Sequence, residues 1–456
     1  MNPEYAQSEL QKFKDSPEFS QSAALLERGR KSIAGGDSST MRVLPYHLPL
    51  VADRAEGCRL WDVDGNEYID LNMAYGPLLL GHCPKQVIDS VFRQISERGS
   101  QLGFPTEITI RVAEKIKQLF PSIELLRFAN SGTEACASAV RLAHTHTGRS
   151  KLIMFEGHYH GWSESVFTRY HAPLDQLPAE GFGPAIPGTS GMRDSIRDTI
   201  VVKWNDLDAL QRCLQKYGDE VAAIMMEPVS GNAGLILPHE GYLQAVREMA
   251  TDNGSLLIFD EVITGMRVSP GGAQEHYLVT PDITVLSKAV GGGYPVSAFG
   301  ASAELMDLIT NGPLFHGGVF SGNAIVMAAA EAVLDVILAD KENVYRHLNA
   351  VGDQLANGFA EILTRLKVPH KVHHLGPLLS VLLTTDHVES LSDYRDVRQH
   401  CDFASYVNLQ HTMQRKGVYF HPNQFEPMFL STAHTPEAID TALERFEEGA
   451  SSCLAR

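Results

Sequence analysis

Short apolar runs recur between residues 125 and 300, and each run is followed by turn residues or by a stretch with helical periodicity. Runs that are apolar without alternation are typical of strands buried on both faces, as in a mostly parallel sheet flanked by helices. The pattern therefore predicts an α/β fold. The predicted strands are 125–129, 152–155, 200–203, 222–227, 256–260, 283–286 and 297–300, and the predicted helices include 134–146, 207–217, 242–253 and 323–338.

The two ends of the chain have a different pattern, with short strand-like runs and turns. Residues 59–71 surround an Asp-Gly turn and predict a hairpin, and residues 413–435 contain two further short strands. We expect both ends to come together in a small α+β domain. The N-terminal segment 1–75 then forms one part of this small domain, residues 76–340 form the large cofactor domain, and residues 341–456 complete the small domain.

Charge and cysteine spacing limit the kind of partner that we expect. The chain has 38 Lys and Arg against 55 Asp and Glu, a net charge of −17, which argues against binding to nucleic acid or to an anionic membrane. No run approaches the ~20 apolar residues of a membrane helix, and the start does not resemble a secretory signal. The six cysteines lack zinc-site spacing, so no metal is predicted. These observations predict a cytoplasmic protein with a small-molecule partner.

Ser131, Gly132 and Thr133 follow the predicted strand 125–129 and open the predicted helix after it. Free backbone N–H groups at the start of a helix bind anions, and a glycine lets an anion approach closely. The same residues would also serve as an ordinary helix N-cap. Taken alone, they leave both interpretations open.

Ionisable residues end two other predicted strands. Asp260 ends strand 256–260, where a carboxylate could bind a metal, orient a base, hold a protonated ring nitrogen or simply close a turn; no His lies at metal-ligand spacing nearby. Lys288 follows strand 283–286 and precedes a glycine-rich turn. Burial lowers the pKa of an amine and favours its use as a nucleophile, whereas a lysine at a strand edge could equally reach solvent.

Together these features match the needs of one cofactor. Pyridoxal 5'-phosphate (PLP) has a phosphate that needs N–H donors, a pyridine nitrogen that needs a carboxylate to stay protonated, and an aldehyde that forms a Schiff base with an amine. Sheets of the predicted kind bind ligands at the carboxyl ends of their strands, where all three groups lie. The sequence therefore predicts a PLP site.

From about residue 35 to residue 448 the chain resembles the class III PLP-dependent aminotransferases of fold type I, and within them most of all the glutamate-1-semialdehyde 2,1-aminomutases. Six motifs in the family's order carry the resemblance. They are Ser131-Gly132-Thr133-Glu134-Ala135, Tyr159-His160-Gly161, Glu227-Pro228-Val229, Phe259-Asp260-Glu261-Val262-Ile263-Thr264-Gly265-Met266-Arg267, Lys288 with its following glycines, and Ser321-Gly322-Asn323.

The resemblance implies catalytic and phosphate-binding roles. Lys288 would form the Schiff base with PLP and move the proton at the substrate carbon. Asp260 would pair with the pyridinium nitrogen. The phosphate would lie at Gly132 and Thr133, beside Ser131.

The resemblance also implies contacts to the cofactor ring and a second subunit. Tyr159 would stack on one face of the ring, Val262 would pack on the other, and Asn232 would contact the phenolic oxygen. The family usually has a Thr two residues before its Ser-Gly-Asn motif, through which a neighbouring subunit binds the phosphate. Here that residue is Val319, so only the backbone N–H of Gly318 or Val319 would remain for this contact. We therefore expect a homodimer with a shared active site.

Two residues bear on the substrate. Arg42 matches an aminomutase arginine that binds the substrate carboxylate, a task to which its planar fork is suited, although it could also be an ordinary surface residue. Many transaminases carry a second arginine near the C-terminal active-site loop, but between residues 405 and 440 this chain has only Arg415. Glu426 in that loop would attract an amine and repel a second carboxylate.

Several activities remain open at this point. Segment 162–197 is rich in Gly, Pro and Ser and departs from the aminomutase pattern where that enzyme has a gating loop, which makes it a candidate lid. The strand before Lys288 also resembles relatives with other amino or keto acid substrates. The sequence thus favours a PLP-dependent aminotransferase of unassigned substrate over an aminomutase. A decarboxylase or racemase would use the same Lys288 and Asp260, whose joint presence argues against a catalytically silent protein.

Overall fold

The computed structural model describes residues 16–191, 194 and 196–454. Its strands form one large sheet and two small sheets. In chain order the strands are β1 (Ala52–Glu56), β2 (Arg59–Asp62), β3 (Glu67–Asp70), β4 (Leu125–Ala129), β5 (Lys151–Phe155), β6 (Phe182–Pro184), β7 (Thr199–Val202), β8 (Val221–Met226), β9 (Leu256–Asp260), β10 (Ile283–Leu286), β11 (Ser297–Ala301), β12 (His370–Leu375), β13 (Leu378–Leu383), β14 (Val418–Tyr419) and β15 (Met428–Phe429).

The large sheet has the strand order β4-β11-β10-β9-β8-β5-β7-β6. Strands β10, β9, β8, β5 and β7 are mutually parallel. The exceptions are β11, which is antiparallel to β4 and β10, and the edge strand β6, which is antiparallel to β7. Every residue of β8 and β10 is buried. The mostly parallel sheet and the α/β class predicted from unbroken apolar runs are therefore confirmed.

Helices cover both faces of the large sheet and also pack against the small sheets. In chain order they are α1 (Ser20–Arg30), α2 (Lys85–Arg93), α3 (Glu107–Leu119), α4 (Gly132–Thr147), α5 (Leu207–Tyr217), α6 (Tyr242–Asn253), α7 (Gly272–Tyr277), α8 (Ala303–Thr310), α9 (Ala324–Ala339), α10 (Lys341–Arg365), α11 (Tyr394–His400), α12 (Phe403–Arg415) and α13 (Pro436–Cys453). Within the described ranges, none of these helices is long and apolar enough to cross a membrane.

Alternating side chains of the strands divide the core into two layers. Met225 and Ile258 pack in one cluster with α4 and α8. Their neighbours Ile224 and Leu257 point the other way, into a cluster with α5 and α6. This alternation is the expected consequence of strand geometry, and it explains why the central strands are apolar at nearly every position.

Predicted element ends agree with the structure to within a residue or two, and local capping explains one shift. The predicted helix 323–338 is α9, which begins one residue later because the Asn323 side chain caps it by accepting a hydrogen bond of 3.0 Å from the backbone N–H of Ile325. A residue that caps a helix has non-helical backbone angles, so it lies just outside the helix.

The two ends of the chain meet in the first small sheet. Its order is β1-β2-β3-β14, and β14 pairs in parallel with β3, with Val418 opposite Ile69. Ile69 packs in one apolar cluster with Phe359 of α10 and Phe446 of α13. The second small sheet has the order β12-β13-β15. The division into domains at residues 75 and 340 stays a prediction, and residues 1–15 of its N-terminal part lie outside the described residues.

Segment 162–197 lies partly on the edge of the large sheet. Its strand β6 pairs with β7, and Val166, Thr168 and Ala172 are buried. Residues 192, 193 and 195 lie outside the described residues. The structure therefore shows how this segment packs, while its action as a lid remains a prediction.

Candidate active site

The carboxyl ends of the parallel strands bring the predicted site residues to one edge of the large sheet. Strand β9 ends at Asp260, and β10 ends just before Ser287 and Lys288. Strand β8 ends just before Glu227. Tyr159 lies on the loop that follows β5. Parallel strands end at the same edge, so residues that are far apart in the chain meet there.

Asp260 is buried and is held by three donors. Its Oδ2 atom accepts hydrogen bonds from His160 Nδ1 at 2.7 Å and from the Cys136 thiol at 3.3 Å. Its Oδ1 atom accepts one from the backbone N–H of Val262 at 3.0 Å. A carboxylate has about four lone-pair positions, so about one remains for a further donor such as a protonated ring nitrogen. Burial, followed by the charge of Asp260, raises the pKa of the Cys136 thiol and keeps it a donor.

The neighbouring Glu261 points into the protein body and has a different task. Its carboxylate accepts hydrogen bonds from the Thr264 hydroxyl at 2.6 Å and from the backbone N–H groups of Ala273 at 2.7 Å and Gln274 at 2.9 Å. Glu261 thus caps the start of α7. Of the two adjacent carboxylates at the strand end, only Asp260 is part of the site.

Lys288 stands on a strained turn directly after β10. Its φ angle of 43° lies in the left-handed region, which is costly for a residue with a side chain and is enriched at functional sites. Burial lowers the pKa of the Lys288 amine, against the attraction of Glu426, Glu227 and Asp260. Among the described residues no group forms a hydrogen bond with its Nζ atom. A lysine with a lowered pKa and a free amine is suited to act as a nucleophile.

The start of α4 forms the predicted anion site. The Ser131 side chain accepts a hydrogen bond of 3.3 Å from the backbone N–H of Glu134, and Glu134 in turn accepts one of 2.8 Å from the N–H of Asn130. This reciprocal capping fixes the helix start. Among the described residues, the backbone N–H groups of Gly132 and Thr133 have no acceptor, so they are available to a phosphate.

Glu227 organises the two predicted ring contacts. Its buried carboxylate accepts hydrogen bonds from the backbone N–H of Tyr159 at 2.7 Å, from the N–H of Gly231 at 2.8 Å and from the Asn232 side-chain amide at 2.9 Å. Burial raises the pKa of Glu227. Because one carboxylate holds both Tyr159 and Asn232, the positions of these two residues depend on each other.

Two glycines keep a narrow space open between Val262 and the start of α4. A Cβ atom on Gly132 would lie 3.2 Å from a Val262 methyl group. A Cβ atom on Gly161 would lie 2.5 Å from the Thr133 hydroxyl, and Gly161 has a φ of +95°, which other residues rarely adopt. Both glycines therefore let backbone and side chains approach where a larger residue would fill the space.

The residues present fit PLP. The free N–H groups of Gly132 and Thr133 suit its phosphate, the remaining acceptor position of Asp260 suits its protonated ring nitrogen, and the free amine of Lys288 suits its aldehyde. The carboxylate is already oriented by His160, Cys136 and Val262 before any ligand binds. The roles of Ser131 beside the phosphate and of Tyr159, Asn232 and Val262 at the ring stay predictions that this arrangement supports. The roles of Lys288, Asp260, Gly132 and Thr133 toward the cofactor stay predictions as well.

The two predicted substrate residues lie near Tyr75. The charges of Glu426 and Arg42 both act on the Tyr75 phenol: Glu426 adds to the burial that raises its pKa, and Arg42 opposes that change. The Arg42 guanidinium is half-exposed and pairs with Asp37, with 2.6 Å between Nε and Oδ1. Burial raises the pKa of Glu426 to about 7, against the attraction of Lys288. A substrate carboxylate at Arg42 would therefore compete with Asp37.

Arg267 is a second arginine near the site, but it is already engaged. Its buried guanidinium donates hydrogen bonds to the backbone carbonyls of Leu430, at 3.0 Å, and Gly76. Burial lowers the pKa of Arg267 to about 10. This arginine fixes two loops beside Lys288, so it is not available to bind a second substrate carboxylate.

The predicted subunit contact lies on an exposed loop. The Val319 side chain is 78% exposed, while its carbonyl accepts a hydrogen bond from the Gln101 side chain. Within the described part of the chain, the backbone N–H groups of Gly318 and Val319 have no acceptor. They are free for the phosphate contact that was predicted between subunits.

Several residues of the site received no role from the sequence. His160 and Glu227 lie inside recognised motifs, and only the structure shows that they hold Asp260, Tyr159 and Asn232. Their position was the available signal, since Glu227 is the last residue of the predicted strand 222–227 and His160 lies on the loop after the predicted strand 152–155. Cys136 gave no signal, because its contact with Asp260 depends on how α4 packs against the sheet.

This fold and site define a PLP-dependent transferase of fold type I. The family model described as Aminotransferase class-III matches residues 41–448, and the chain belongs to this family. A glutamate-1-semialdehyde 2,1-aminomutase of Persephonella marina (strain DSM 14350 / EX-H1) is 37% identical over 428 residues, which are 93% of this chain and 97% of that protein.

Solved structures agree on the fold and the cofactor. An omega-transaminase from Sphaerobacter thermophilus has a TM-score of 0.89 and 32% identity, covering 95% of this chain and 97% of that one. A glutamate-1-semialdehyde-aminomutase variant from Pseudomonas aeruginosa PAO1, in complex with PMP, has a TM-score of 0.86 and 25% identity, covering 99% and 98%. The chain is a PLP-dependent enzyme of the class III family, and its cofactor is PLP.

We predict that Gly161→Ala weakens cofactor binding by about tenfold or more. The added methyl group would lie 2.5 Å from the Thr133 hydroxyl, and relieving such overpacking costs about 1–3 kcal/mol. The measurement is a PLP titration followed by absorbance. The matched control is Gly148→Ala, since Gly148 also has a positive φ, of +68°, but has no atom within 4 Å of the added methyl group. Equal PLP affinities of the two variants would contradict the prediction.

Proposed function

We propose that this enzyme moves an amino group within a single carboxylated substrate, as a glutamate-1-semialdehyde 2,1-aminomutase that forms 5-aminolevulinate. The observation that carries the proposal is 37% identity to an aminomutase along nearly the full length of both chains. Further aminomutases are 38% and 39% identical with similar coverage. These relatives support the aminomutase better than the aminotransferase of unassigned substrate, which the sequence had favoured.

The outer end of the site supports the same proposal. Arg42 supplies one cation for one carboxylate, and Glu426 carries a carboxylate that would repel a second one. Arg267, an arginine close to Lys288, is engaged by two carbonyls. An intramolecular transfer needs no dicarboxylic amino donor, so it needs no second carboxylate site.

PLP, when bound, supplies an electron sink that lets the substrate lose a proton at the carbon bearing nitrogen. Asp260 would hold the ring nitrogen protonated, and His160 and Cys136 would keep this carboxylate in place. The Lys288 amine would accept that proton and return it at another carbon. Arg42 would hold the substrate carboxylate, and Glu426 would attract the amino group.

Transfer between two separate molecules is the second candidate. Its support is the similarity to the omega-transaminase from Sphaerobacter thermophilus, at 32% identity and a TM-score of 0.89. Such an enzyme would release its first product and then bind a second substrate. The departure of segment 162–197 from the aminomutase sequence pattern also favours this candidate.

One experiment separates the two candidates. Glutamate 1-semialdehyde is given to the PLP-loaded enzyme without any second substrate, and 5-aminolevulinate is measured. We expect product from this mixture and none from a Lys288→Ala variant, which lacks the amine. Turnover only with an amino acid and a keto acid together would instead identify transfer between molecules. Full turnover by the Lys288→Ala variant would contradict both candidates.

We predict a pH dependence that comes from Glu426. Because its pKa is raised to about 7, the carboxylate is mostly neutral below this pH and mostly charged above it. The charged form attracts a substrate ammonium group, so kcat/KM rises through about pH 7 by about tenfold, the effect of about 1.5 kcal/mol. The Glu426→Gln variant should lack this step, whereas a variant of the exposed Glu240, Glu240→Gln, should keep it. A pH–rate profile for each variant tests the prediction, and the same step in Glu426→Gln would contradict it.

We also propose a homodimer that shares its active sites. Loop 313–321 and the stretch 99–105 present an exposed apolar patch of Leu102, Phe104, Phe315, Val319 and Phe320. The Gln101 side chain joins the two segments by its hydrogen bond to Val319. Large exposed apolar patches mark interaction sites, and this one includes the loop predicted to reach the partner's phosphate.

A cytoplasmic location remains a prediction.

We predict that Phe104→Asp turns the dimer into a monomer at micromolar concentration, because a charge in an apolar interface loses its water without gaining a partner. Phe104 is 82% exposed in the single chain. The control is Leu278→Asp, since Leu278 is 85% exposed but lies outside the patch. Sedimentation velocity measures the mass of each variant. A dimer with Phe104→Asp, or a monomer with Leu278→Asp, would contradict the assignment of this interface.

A further inference from the structure

We infer that His421 is a positioning residue. It fixes segment 37–47, which contains Arg42, relative to segment 421–428, which contains Glu426. The enzyme thereby selects amines that carry one carboxylate. The inference rests on the proposed function, because it assigns these two residues to the substrate. Within the described part of the chain, His421 forms no hydrogen bond or ring contact with Lys288 or with the residues predicted to bind the cofactor. His421 acts through the two segments that it joins.

The His421 ring forms one hydrogen bond to each segment. Its Nε2 atom lies 3.2 Å from the carbonyl oxygen of Met41, the residue before Arg42. Its Nδ1 atom accepts a hydrogen bond of 3.1 Å from the backbone N–H of Asn423. Because Nδ1 accepts, the proton of the neutral ring lies on Nε2, which donates to Met41. A single neutral imidazole thus satisfies both segments.

The hydrogen bond to Asn423 fixes the position of Glu426. The backbone N–H of Glu426 donates to the Asn423 carbonyl at 2.9 Å, and the N–H of Phe425 donates to the Asn423 side chain at 3.2 Å. These bonds form a tight turn that begins at the residue held by His421. Among the described residues, the His421 ring makes the only hydrogen bond that joins segment 37–47 directly to segment 421–428.

Other side chains support the Arg42 segment from the same side. The Tyr75 hydroxyl also donates to the Met41 carbonyl, at 3.0 Å, and His47 Nδ1 lies 3.1 Å from the Arg42 carbonyl. Tyr75 is presented by a strained turn, since Met73, Ala74 and Tyr75 have φ angles of 44°, 56° and 67°. A run of left-handed residues other than glycine is costly. Packing of the surrounding residues holds this strained turn in place and thereby positions Tyr75 beside Met41 and His421.

The environment of His421 keeps the ring neutral and immobile. The ring is 2% exposed and lies 5.1 Å from the His47 ring and 5.4 Å from the Tyr75 ring, measured between centroids. Burial lowers the pKa of His421 to about 4. An imidazole in this setting is not suited to exchange protons with a substrate at neutral pH. Its contribution is to hold the two segments at a fixed separation, one through each of its nitrogen atoms.

Three variants of His421 separate its two hydrogen bonds. The amide of His421→Asn reaches the position of Nδ1 and keeps the bond to Asn423, but loses the bond to Met41. The longer amide of His421→Gln reaches the position of Nε2 and keeps the bond to Met41, but loses the bond to Asn423. His421→Phe keeps the ring packing and loses both bonds. Tyr75→Phe is the matched control, because it removes the other donor to Met41 and leaves Asn423 untouched.

The first measurement is amide hydrogen exchange of the PLP-loaded variants, which does not depend on activity. We expect faster exchange in residues 39–47 for His421→Asn and Tyr75→Phe, faster exchange in residues 421–428 for His421→Gln, and both for His421→Phe. Exchange reports local opening where a hydrogen bond is lost. Unchanged exchange in both segments of His421→Phe would overturn the inference, whatever the activity of the enzyme.

The second measurement compares 5-aminopentanoate with butylamine, which lacks the carboxylate, by the rate at which each changes the cofactor absorbance. The ratio of kcat/KM for the two amines should fall at least about tenfold in His421→Asn and His421→Phe, because Arg42 moves. In His421→Gln the ratio should stay within about threefold, while KM rises for both amines because Glu426 moves. An equal loss for both amines in every variant would overturn the inference. If the wild-type enzyme reacts with neither these amines nor glutamate 1-semialdehyde, the proposed function fails, and hydrogen exchange still decides the role of His421.

Discussion

Burial of ionisable side chains at one edge of the large sheet is the constraint on which this site depends. A buried charge is costly unless hydrogen bonds replace its water, and most of these groups are satisfied within the chain. Glu227 has backbone and amide donors, Asp260 has His160, Cys136 and a backbone N–H, and Arg267 has two carbonyls. Among the described residues, the side chains of Lys288 and Glu426 have no hydrogen-bond partner. Of the charged groups named here, the two without a partner are those assigned to the chemistry and to the substrate.

The fold could be predicted from the sequence to a large extent because buried parallel strands leave a strong signal. Short, largely apolar runs predicted β4, β9 and β10 at the bounds observed, and the strand ends then located Asp260 and Lys288. The antiparallel direction of β11 gave no signal of its own, since a buried strand has the same apolar pattern whether its neighbours run parallel or antiparallel to it. The small sheets were harder to predict, because pairing between β3 and β14 joins opposite ends of the chain.

The site was predictable where a motif follows a strand, and less so where side chains meet from different segments. Asp260 and Glu261 look alike in the sequence, yet one belongs to the site and the other caps α7, because successive residues point to opposite sides of a strand end. The bonds that His421 makes could not be predicted, since they depend on two loops that are distant in sequence. The same holds for Cys136, whose partner is set by helix packing. Long-range contacts between polar side chains leave no periodic trace in a single sequence.

The pairing of Val418 with Ile69 has a consequence for how the chain folds during its synthesis on the ribosome. A chain grows at about 5–20 residues per second, so β3 waits on the order of tens of seconds before its partner β14 is made. The strands that carry Asp260 and Lys288 emerge earlier, and their sheet can begin to form while the C-terminal segments are still missing. The segments of Arg42 and Glu426 meet only when synthesis is nearly complete. A nascent chain would thus possess its cofactor-binding elements before it could distinguish one substrate from another.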